Sequence, residues 1–181
     1  EIGMENMCLM PLEQIDDISA IDQYQVAIDA GFSPEESLKV VSLYNRDNAR
    51  SPMQWNTEEN AGFTSGKPWL MLNPNYKEIN VAAQIHDEDS VFSYYKKLIA
   101  LRKNPEYAET VVYGEVVPYL EDTHNLMAYY RKGDKDLLVI GNFQREEQAI
   151  VLPSACKKVL LNNYPDVQMN DTSLILHSYQ A

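Results

Sequence analysis

The stretch RDNARSPMQWN, residues 46–56, combines side chains that could bind a polar ligand. Arg46 and Arg50 lie four positions apart, among an aspartate and asparagines, with a tryptophan close behind. A guanidinium carries five N–H donors in a fixed fork, which suits a carboxylate or the hydroxyls of a sugar. The same spacing also fits a structural role, in which the two arginines lie one turn apart and fix the loop through ion pairs. The residues alone leave both interpretations open.

Other chemistry-bearing patterns are missing from the sequence. It contains no glycine-rich phosphate loop and no serine nucleophile elbow. The histidines are far apart and the cysteines form no CxxC pair, so we predict no metal site and no cofactor. These residues are His86, His124, His177, Cys8 and Cys156. Carboxylates are plentiful, but none stands in a pattern that identifies a catalytic pair, and we nominate no catalytic residue in this chain.

Composition excludes several classes of partner. The 181 residues include 27 acidic and 15 basic side chains, for a formal net charge of -12. Such a charge disfavours nucleic acid and anionic membrane surfaces, and no apolar run is long enough for a membrane helix. Two isolated cysteines indicate free thiols in a reducing compartment, so we predict a cytoplasmic protein. The sequence begins without Met at Glu1, and we expect it to be part of a longer chain.

Helices and an ordered loop are predicted to surround the arginine segment. Apolar spacing predicts a first helix that stops at Gly31. Ser33 and Glu36 form a capping-box pattern, which predicts a second helix ending near Asn45. Residues 51–89 are rich in proline and glycine and should be mainly loop, kept ordered by large apolar side chains.

A third helix and a series of strands follow. Ser90 is the predicted cap of the third helix, which should end at Asn104 before a proline. Beyond residue 108, short β-branched and aromatic runs separated by turn signals predict six antiparallel strands. The runs are VVYGEVVPYL, NLMAYYR, DLLVIGNF, QAIVL, KVLL and SLILH. We therefore predict an α+β chain with a helix-and-loop part and an all-β part.

Several of these stretches together resemble one enzyme family. They occur in the same order as in the C-terminal portion of α-glucosidases of glycoside hydrolase family 13, in the group of oligo-1,6-glucosidase, dextran glucosidase, trehalose-6-phosphate hydrolase and sucrose isomerase. The stretches are EIGM at 1–4, RDNARSPMQW at 46–55, NAGF at 60–63, PW at 68–69, NPNY at 73–76, INV at 79–81 and YYKKLIALRK at 94–103.

The resemblance implies a place in a larger fold. Residues 1–107 would be the last helix-and-loop segment of a (β/α)8 catalytic barrel, and residues 108–181 a C-terminal antiparallel β domain. By similarity, Arg46 would hold the non-reducing-end glucose of an α-linked oligosaccharide. Arg50 would be a neighbour with a structural role, and it is our second candidate for substrate binding. The family's catalytic Asp, Glu and Asp lie upstream of this segment, so the chain alone should be inactive. Its partner would be the missing barrel portion of the same chain.

Two alternatives stay open. One is a non-catalytic scaffold or interaction module derived from the same fold, and the other is a parent that is a sucrose isomerase or a trehalose-6-phosphate hydrolase. Relatives often carry Glu after Asp-Ile before the first helix, whereas this chain has Asp17-Ile18-Ser19. We also expect exposed apolar surface at Trp55, at Trp69 and along residues 91–101, which would favour self-association.

Overall fold

The computed structural model describes residues 2–7 and 9–181. The predicted free thiol of Cys8 therefore lies outside the described residues. The chain divides into two compact units, Glu1–Ser93 and Tyr94–Ala181, which we call unit 1 and unit 2. No helix in the described part of the chain has the length and apolarity to span a membrane.

Unit 1 begins with two packed helices that follow the predicted caps. Helix α1, Ile18–Asp29, is followed by Gly31 at a φ of 93°, as the sequence predicted. Helix α2, Pro34–Tyr44, starts with both bonds of the Ser33–Glu36 capping box. The hydrogen bonds that the Glu36 carboxylate accepts from the hydroxyl and the backbone of Ser33 lower the pKa of that carboxyl.

A small apolar cluster holds these helices to the start of the chain. Buried side chains from the first residues meet Ala20 of α1 and Val41 of α2. The buried members are Met7, Met10, Ile15, Ala20 and Val41, and partly buried neighbours are Leu12, Tyr24, Leu38 and Met71. Burial of this set is the hydrophobic contribution that the helical half of unit 1 gains on folding.

The rest of unit 1 is ordered but has little regular structure, as predicted for residues 51–89. The 3₁₀ turns are Leu12–Gln14, Arg46–Arg50, Glu59–Gly62 and Pro74–Lys77, and helix α3 is Val81–Gln84. Asn60, Ala61 and Gly62 all have left-handed backbones, with φ between 50° and 67°. Two backbone amides, from Trp55 and Asn56, donate to the Ala61 carbonyl and hold this tight reversal in place.

Helix α4, Val91–Lys103, has the predicted cap, and the next helix was not predicted. The Ser90 hydroxyl accepts from the backbone of Ser93 at 3.2 Å, and the helix ends before Asn104. Helix α5, Ala108–Tyr113, occupies the start of a run that the sequence predicted as strand, so the strand itself begins later than predicted, at Glu115. The Arg131 guanidinium donates to the carbonyls of Thr110 and Val112, which satisfies the C-terminal end of α5.

Two antiparallel sheets form the rest of unit 2. Strands β1, β2 and β3 pair in sequence order, and a second sheet has the order β4-β6-β5. The strands are β1 Glu115–Pro118, β2 Leu126–Lys132, β3 Leu137–Asn142, β4 Gln148–Val151, β5 Gln168–Asn170 and β6 Ser173–Leu176. A cluster around Ile150, Leu152, Leu174 and Leu176 packs with Leu126, Leu138 and Ile140 of the first sheet, so the two sheets share one core.

One of the six predicted strands is absent from the structure, and the structure contains one strand that was not predicted. KVLL, residues 158–161, is not a strand in the structure, where Leu160 and Leu161 line a groove with Leu101. Strand β5 was missed because its three residues carry no apolar alternation. It exists because a two-residue turn pairs Asn170 with Ser173 at the start of β6.

Large apolar side chains are exposed where the sequence predicted. Trp55 is 48% and Trp69 is 70% exposed, and Val91, Tyr95 and Leu98 of α4 are also exposed. The division into compact units falls within α4. The domain boundary between residues 107 and 108, which the family resemblance implies, stays a prediction.

Candidate functional site

The two predicted site arginines lie at opposite ends of the 3₁₀ turn Arg46–Arg50, directly after α2. Both are exposed, and neither guanidinium forms a hydrogen bond or an ion pair with any residue that the structure describes. In 3₁₀ geometry, residues three apart align, so residues four apart point about 120° away from each other. The structure therefore does not stack the arginines or use them as ion-pair braces, and it leaves both forks available to a ligand.

Two buried aspartates brace the start of the turn instead. The Asp17 carboxylate accepts from the backbone N–H of Arg46 at 2.9 Å and, with its other oxygen, caps α1 at Ser19 at 3.2 Å. Asp47 binds in the opposite direction. One oxygen of its carboxylate accepts hydrogen bonds from the backbone N–H of Asp16 at 2.7 Å and from that of Asp17 at 3.1 Å. Each aspartate thus binds the backbone beside the other, and we call this arrangement the Asp17–Asp47 clamp.

Asparagine and serine side chains fix the same turn to the first residues of the chain. Asn48 accepts from the backbone of Met7 at 2.9 Å and donates to the Ser42 carbonyl at 2.8 Å. The buried Ser42 hydroxyl accepts from the backbone of Met10 at 2.9 Å. These bonds satisfy backbone groups that no helix or strand satisfies, which buried segments require.

The second half of the segment is fixed through Gln54, which is fully buried. Its side-chain amide donates to the carbonyl of Ile79 and, at 3.2 Å, to the side chain of Asn75. Its backbone carbonyl accepts from Val81 at the start of α3, and the Trp55 carbonyl accepts from the next residue. Hydrogen bonds to buried side chains and to α3 therefore fix both ends of the run from residue 46 to 56, although it contains no α-helix or strand.

The buried braces were missed when the sequence was interpreted, although they lie within or near the quoted motif. Asp47 and Gln54 could have been suspected, since polar residues inside a specific motif often bind backbone. Asp17 could not have been identified as a brace from the sequence, because it lies 29 positions before Arg46 and its bond to the Arg46 backbone depends on tertiary structure. Among the described residues, a buried oxygen of Asp47 and one of Gln54 have no hydrogen-bond partner.

The arrangement of these residues is suited to the binding of a polar ligand. The exposed groups of the turn are cationic donors, which suit hydroxyls and carboxylates. Within residues 2–7 and 9–181, no group of three or more His, Cys, Asp or Glu side chains is placed to hold a metal ion.

Comparison with family models gives two matches. Residues 1–114 match the model described as α-amylase, catalytic domain, and residues 126–181 match the model of the α-amylase SusG C-terminal domain.

Individual relatives match along the whole chain. The oligo-1,6-glucosidase of Bacillus cereus is 41% identical over 100% of this chain, which corresponds to 30% of that protein. Among solved structures, the trehalose-6-phosphate hydrolase of Bacillus licheniformis superposes with a TM-score of 0.88 at 38% identity, over 99% of this chain and 33% of that one. The isomaltulose synthase of a Klebsiella species gives 0.87 at 37% identity, over 98% and 32%. The chain thus spans about a third of the length of the relatives it matches.

Proposed function

Since this chain belongs to the α-amylase family of glycoside hydrolases, as its motifs predicted, we propose that it forms the C-terminal third of an α-glucosidase. The parent enzyme hydrolyses α-glucosidic bonds of short oligosaccharides with retention, through two carboxylates and a covalent intermediate. Those carboxylates belong to the part of the barrel outside this chain. Residues 1–107 supply the last barrel segment, and residues 108–181 supply the β domain.

The observation that carries this proposal is the exposed guanidinium of Arg46 on a rigidly held backbone. Barrel enzymes build their sites from the loops at the carboxyl ends of the strands, and the segment after the eighth strand is one of them. The Arg46 fork has no partner among residues 2–7 and 9–181, and its backbone is fixed by a partly buried bond, so we consider it preorganised for a sugar. We assign Arg46 to the glucose at the cleaved bond and Arg50 to a secondary contact.

The exposed apolar side chains of unit 1 support the proposed partner, which is the remainder of the barrel. Trp69 is 70% exposed, and Trp55 and Val91 are exposed on the same unit. Side chains of this size are rarely left in water in such number unless another surface covers them. The free, exposed thiol of Cys156 supports a reducing compartment, and we propose a cytoplasmic location.

The first test uses the 181-residue chain and an aryl α-glucoside. The chain should release no aryl alcohol above background, whereas the complete protein that contains it should turn over. Hydrolysis by the purified chain, with host glucosidases excluded by a mock purification, would contradict the assignment of the catalytic carboxylates to other segments. A complete protein without activity on any α-glucoside would instead favour the scaffold alternative.

The second test compares the two arginines in the complete protein. Loss of a charge-assisted hydrogen bond costs about 1.5–3 kcal/mol, so Arg46→Ala should lower kcat/KM by roughly 10- to 150-fold. Arg50→Ala is the matched control and should lower kcat/KM by less than about 5-fold. Equal effects of the two substitutions would remove the special role of Arg46.

The natural substrate is the third question, since the relatives include hydrolases of different sugars and a synthase. A panel of isomaltose, maltose, trehalose 6-phosphate and sucrose, with the products identified by chromatography, separates these parents. We expect glucose release from isomaltose to be fastest. Isomerised disaccharide as the main product from sucrose would establish a sucrose isomerase instead.

A further inference from the structure

We propose that Asp17 is a positioning residue for Arg46, which it sets in place for substrate through the backbone rather than through the guanidinium. This inference rests on the proposed role of Arg46 and assigns a function to a residue outside the motif. Asp17 is 9% exposed, and it lies in the loop before α1.

Both oxygens of the Asp17 carboxylate are in use. One caps the first turn of α1 at Ser19, and the other accepts from the Arg46 backbone N–H at 2.9 Å. The single carboxylate therefore connects a helix end to the residue that carries the exposed guanidinium. Hydrogen bonds to an ionised acceptor are shorter and stronger than neutral ones, which makes this connection stiff.

The clamp is reciprocal, and this closes a small hydrogen-bonded ring across about thirty residues of sequence. Asp47 binds the backbone of Asp16 and of Asp17 itself, so Asp17 is held while it holds Arg46. None of these four bonds reaches Arg50, at the far end of the 3₁₀ turn. The structure thus singles out one of the two arginines for direct backbone support.

Placement of this kind affects rate because binding groups act only at the right distance. A shift of about 1 Å in a group that orients substrate can cost about 100-fold in rate. Loss of the Asp17 bond frees the amide of Arg46 and the start of the turn. We expect the guanidinium then to sample positions away from the sugar.

The test uses Asp17→Ser in the complete protein. Serine still caps α1, since it is a good N-cap residue, but its hydroxyl is too short to reach Arg46 as well. We expect kcat/KM on the aryl α-glucoside to fall about 10- to 100-fold. Ser33→Ala is the matched control, because it removes a cap from the neighbouring helix without touching Arg46, and it should leave kcat/KM within about 2-fold.

A double-mutant cycle separates positioning from general loss of structure. In an Arg46→Ala background, Asp17→Ser should lower kcat/KM by less than about 2-fold, because the group that it positions is gone. Additive effects of the two substitutions would overturn the inference. Asp17→Asn, which keeps one acceptor oxygen, should have an intermediate effect and serves as the second variant if Asp17→Ser melts below assay temperature.

The outcomes also separate this inference from the proposed function. If Arg46→Ala has a large effect on kcat/KM and the effect of Asp17→Ser adds to it, only the proposed role of Asp17 is contradicted. If Arg46→Ala leaves kcat/KM unchanged, the role of Asp17 and the proposed role of Arg46 are both contradicted. Hydrogen exchange gives a readout without activity, since the Arg46 amide should exchange at least about 10-fold faster in Asp17→Ser than in Ser33→Ala; equal rates would contradict the bond on which the inference depends.

Discussion

Unit 1 and unit 2 both hydrogen-bond their buried backbone N–H and C=O groups, but they do so by different means. In unit 2, strand ladders pair the backbone and an apolar cluster fills the space between the sheets. In unit 1, most residues between α2 and α4 lie in turns and irregular segments, and buried polar side chains bond the backbone instead. Asp17, Asp47 and Gln54 are examples.

The difference teaches where a binding residue can be placed. A strand ladder fixes side chains in a repeating pattern, whereas a side-chain network can hold one backbone segment in an irregular shape. Loops on rigid scaffolds carry a large share of binding residues for this reason. The Arg46–Arg50 turn, which carries the proposed binding residues, is held by a scaffold of buried aspartates and amides.

The largest expected effect comes from breaking the apolar core of unit 2. Leu176 is 3% exposed in β6, and Leu176→Ala should destabilise the protein by about 2–5 kcal/mol. Both tryptophans, Trp55 and Trp69, lie in unit 1, so urea unfolding followed by fluorescence reports unit 1, while circular dichroism includes the sheets. We expect the larger shift in the dichroism signal. Val151→Ala, at an exposed position of β4, should cost less than about 1 kcal/mol.

A somewhat smaller effect should follow from removing a buried polar side chain of unit 2, Gln180. Gln180 is 1% exposed, donates to the Asn162 side chain and the Asp166 carbonyl, and accepts from the His177 backbone. Gln180→Ala should cost about 2–3 kcal/mol, measured by urea unfolding. Tyr179→Asn is the control, since asparagine suits its left-handed backbone. If both substitutions cost the same, the amide network contributes nothing specific.

Two serines of α2 offer a prediction with opposite signs in unit 1. Ser42→Ala removes the acceptor of the Met10 backbone N–H and should cost about 1–2 kcal/mol. Ser37 is also buried, but its hydroxyl has no partner among the described residues, so Ser37→Ala should stabilise by about 0.5–1 kcal/mol. Fluorescence-detected unfolding measures both. Stabilisation by both substitutions would show that helix propensity outweighs the side-chain network, and destabilisation by both would contradict the assignment of Ser37 as unpartnered.

The smallest effect concerns pH and the capping box of α2. Hydrogen bonds from Ser33 lower the pKa of Glu36 below its ordinary value near 4.5. A carboxyl group whose pKa is lower in the folded than in the unfolded state stabilises the fold at pH values above its unfolded-state pKa. That stability is lost as the pH falls through its folded-state pKa. Glu36→Gln keeps the box without the titration, so its melting temperature should fall less than that of the parent between about pH 5 and about pH 3. Parallel pH profiles would contradict this.

Local signals in the sequence predicted the elements whose cause is local. The Ser33–Glu36 capping box, the stop at Gly31 and the Ser90 cap each depend on a few neighbouring residues, and all three are present. Helix α5 and strand β5 were missed because their causes are distant. The Arg131 guanidinium satisfies the end of α5, and pairing with β6 creates β5.

The candidate site divides in the same way. Arg46 and Arg50 could be nominated because they lie in a specific motif with an unusual density of donors, and their binding role stays a prediction. The structural alternative, in which the two arginines lie one turn apart, assumed α-helical spacing, and the 3₁₀ turn does not have that spacing. Asp17 could not be found from spacing, since its bond to the Arg46 backbone exists only after α1 and α2 have packed.

The tight winding of the Arg46–Arg50 turn makes its two arginines non-equivalent under genetic selection. If Arg46 holds substrate as proposed, a host cell that lost this guanidinium could not replace it with that of Arg50, which projects about 120° away. Suppressors should restore arginine at codon 46, or delete one intervening codon so that the second guanidinium aligns with the vacated direction. Survivors of unchanged length that depend on Arg50 would argue against this stereochemical rule.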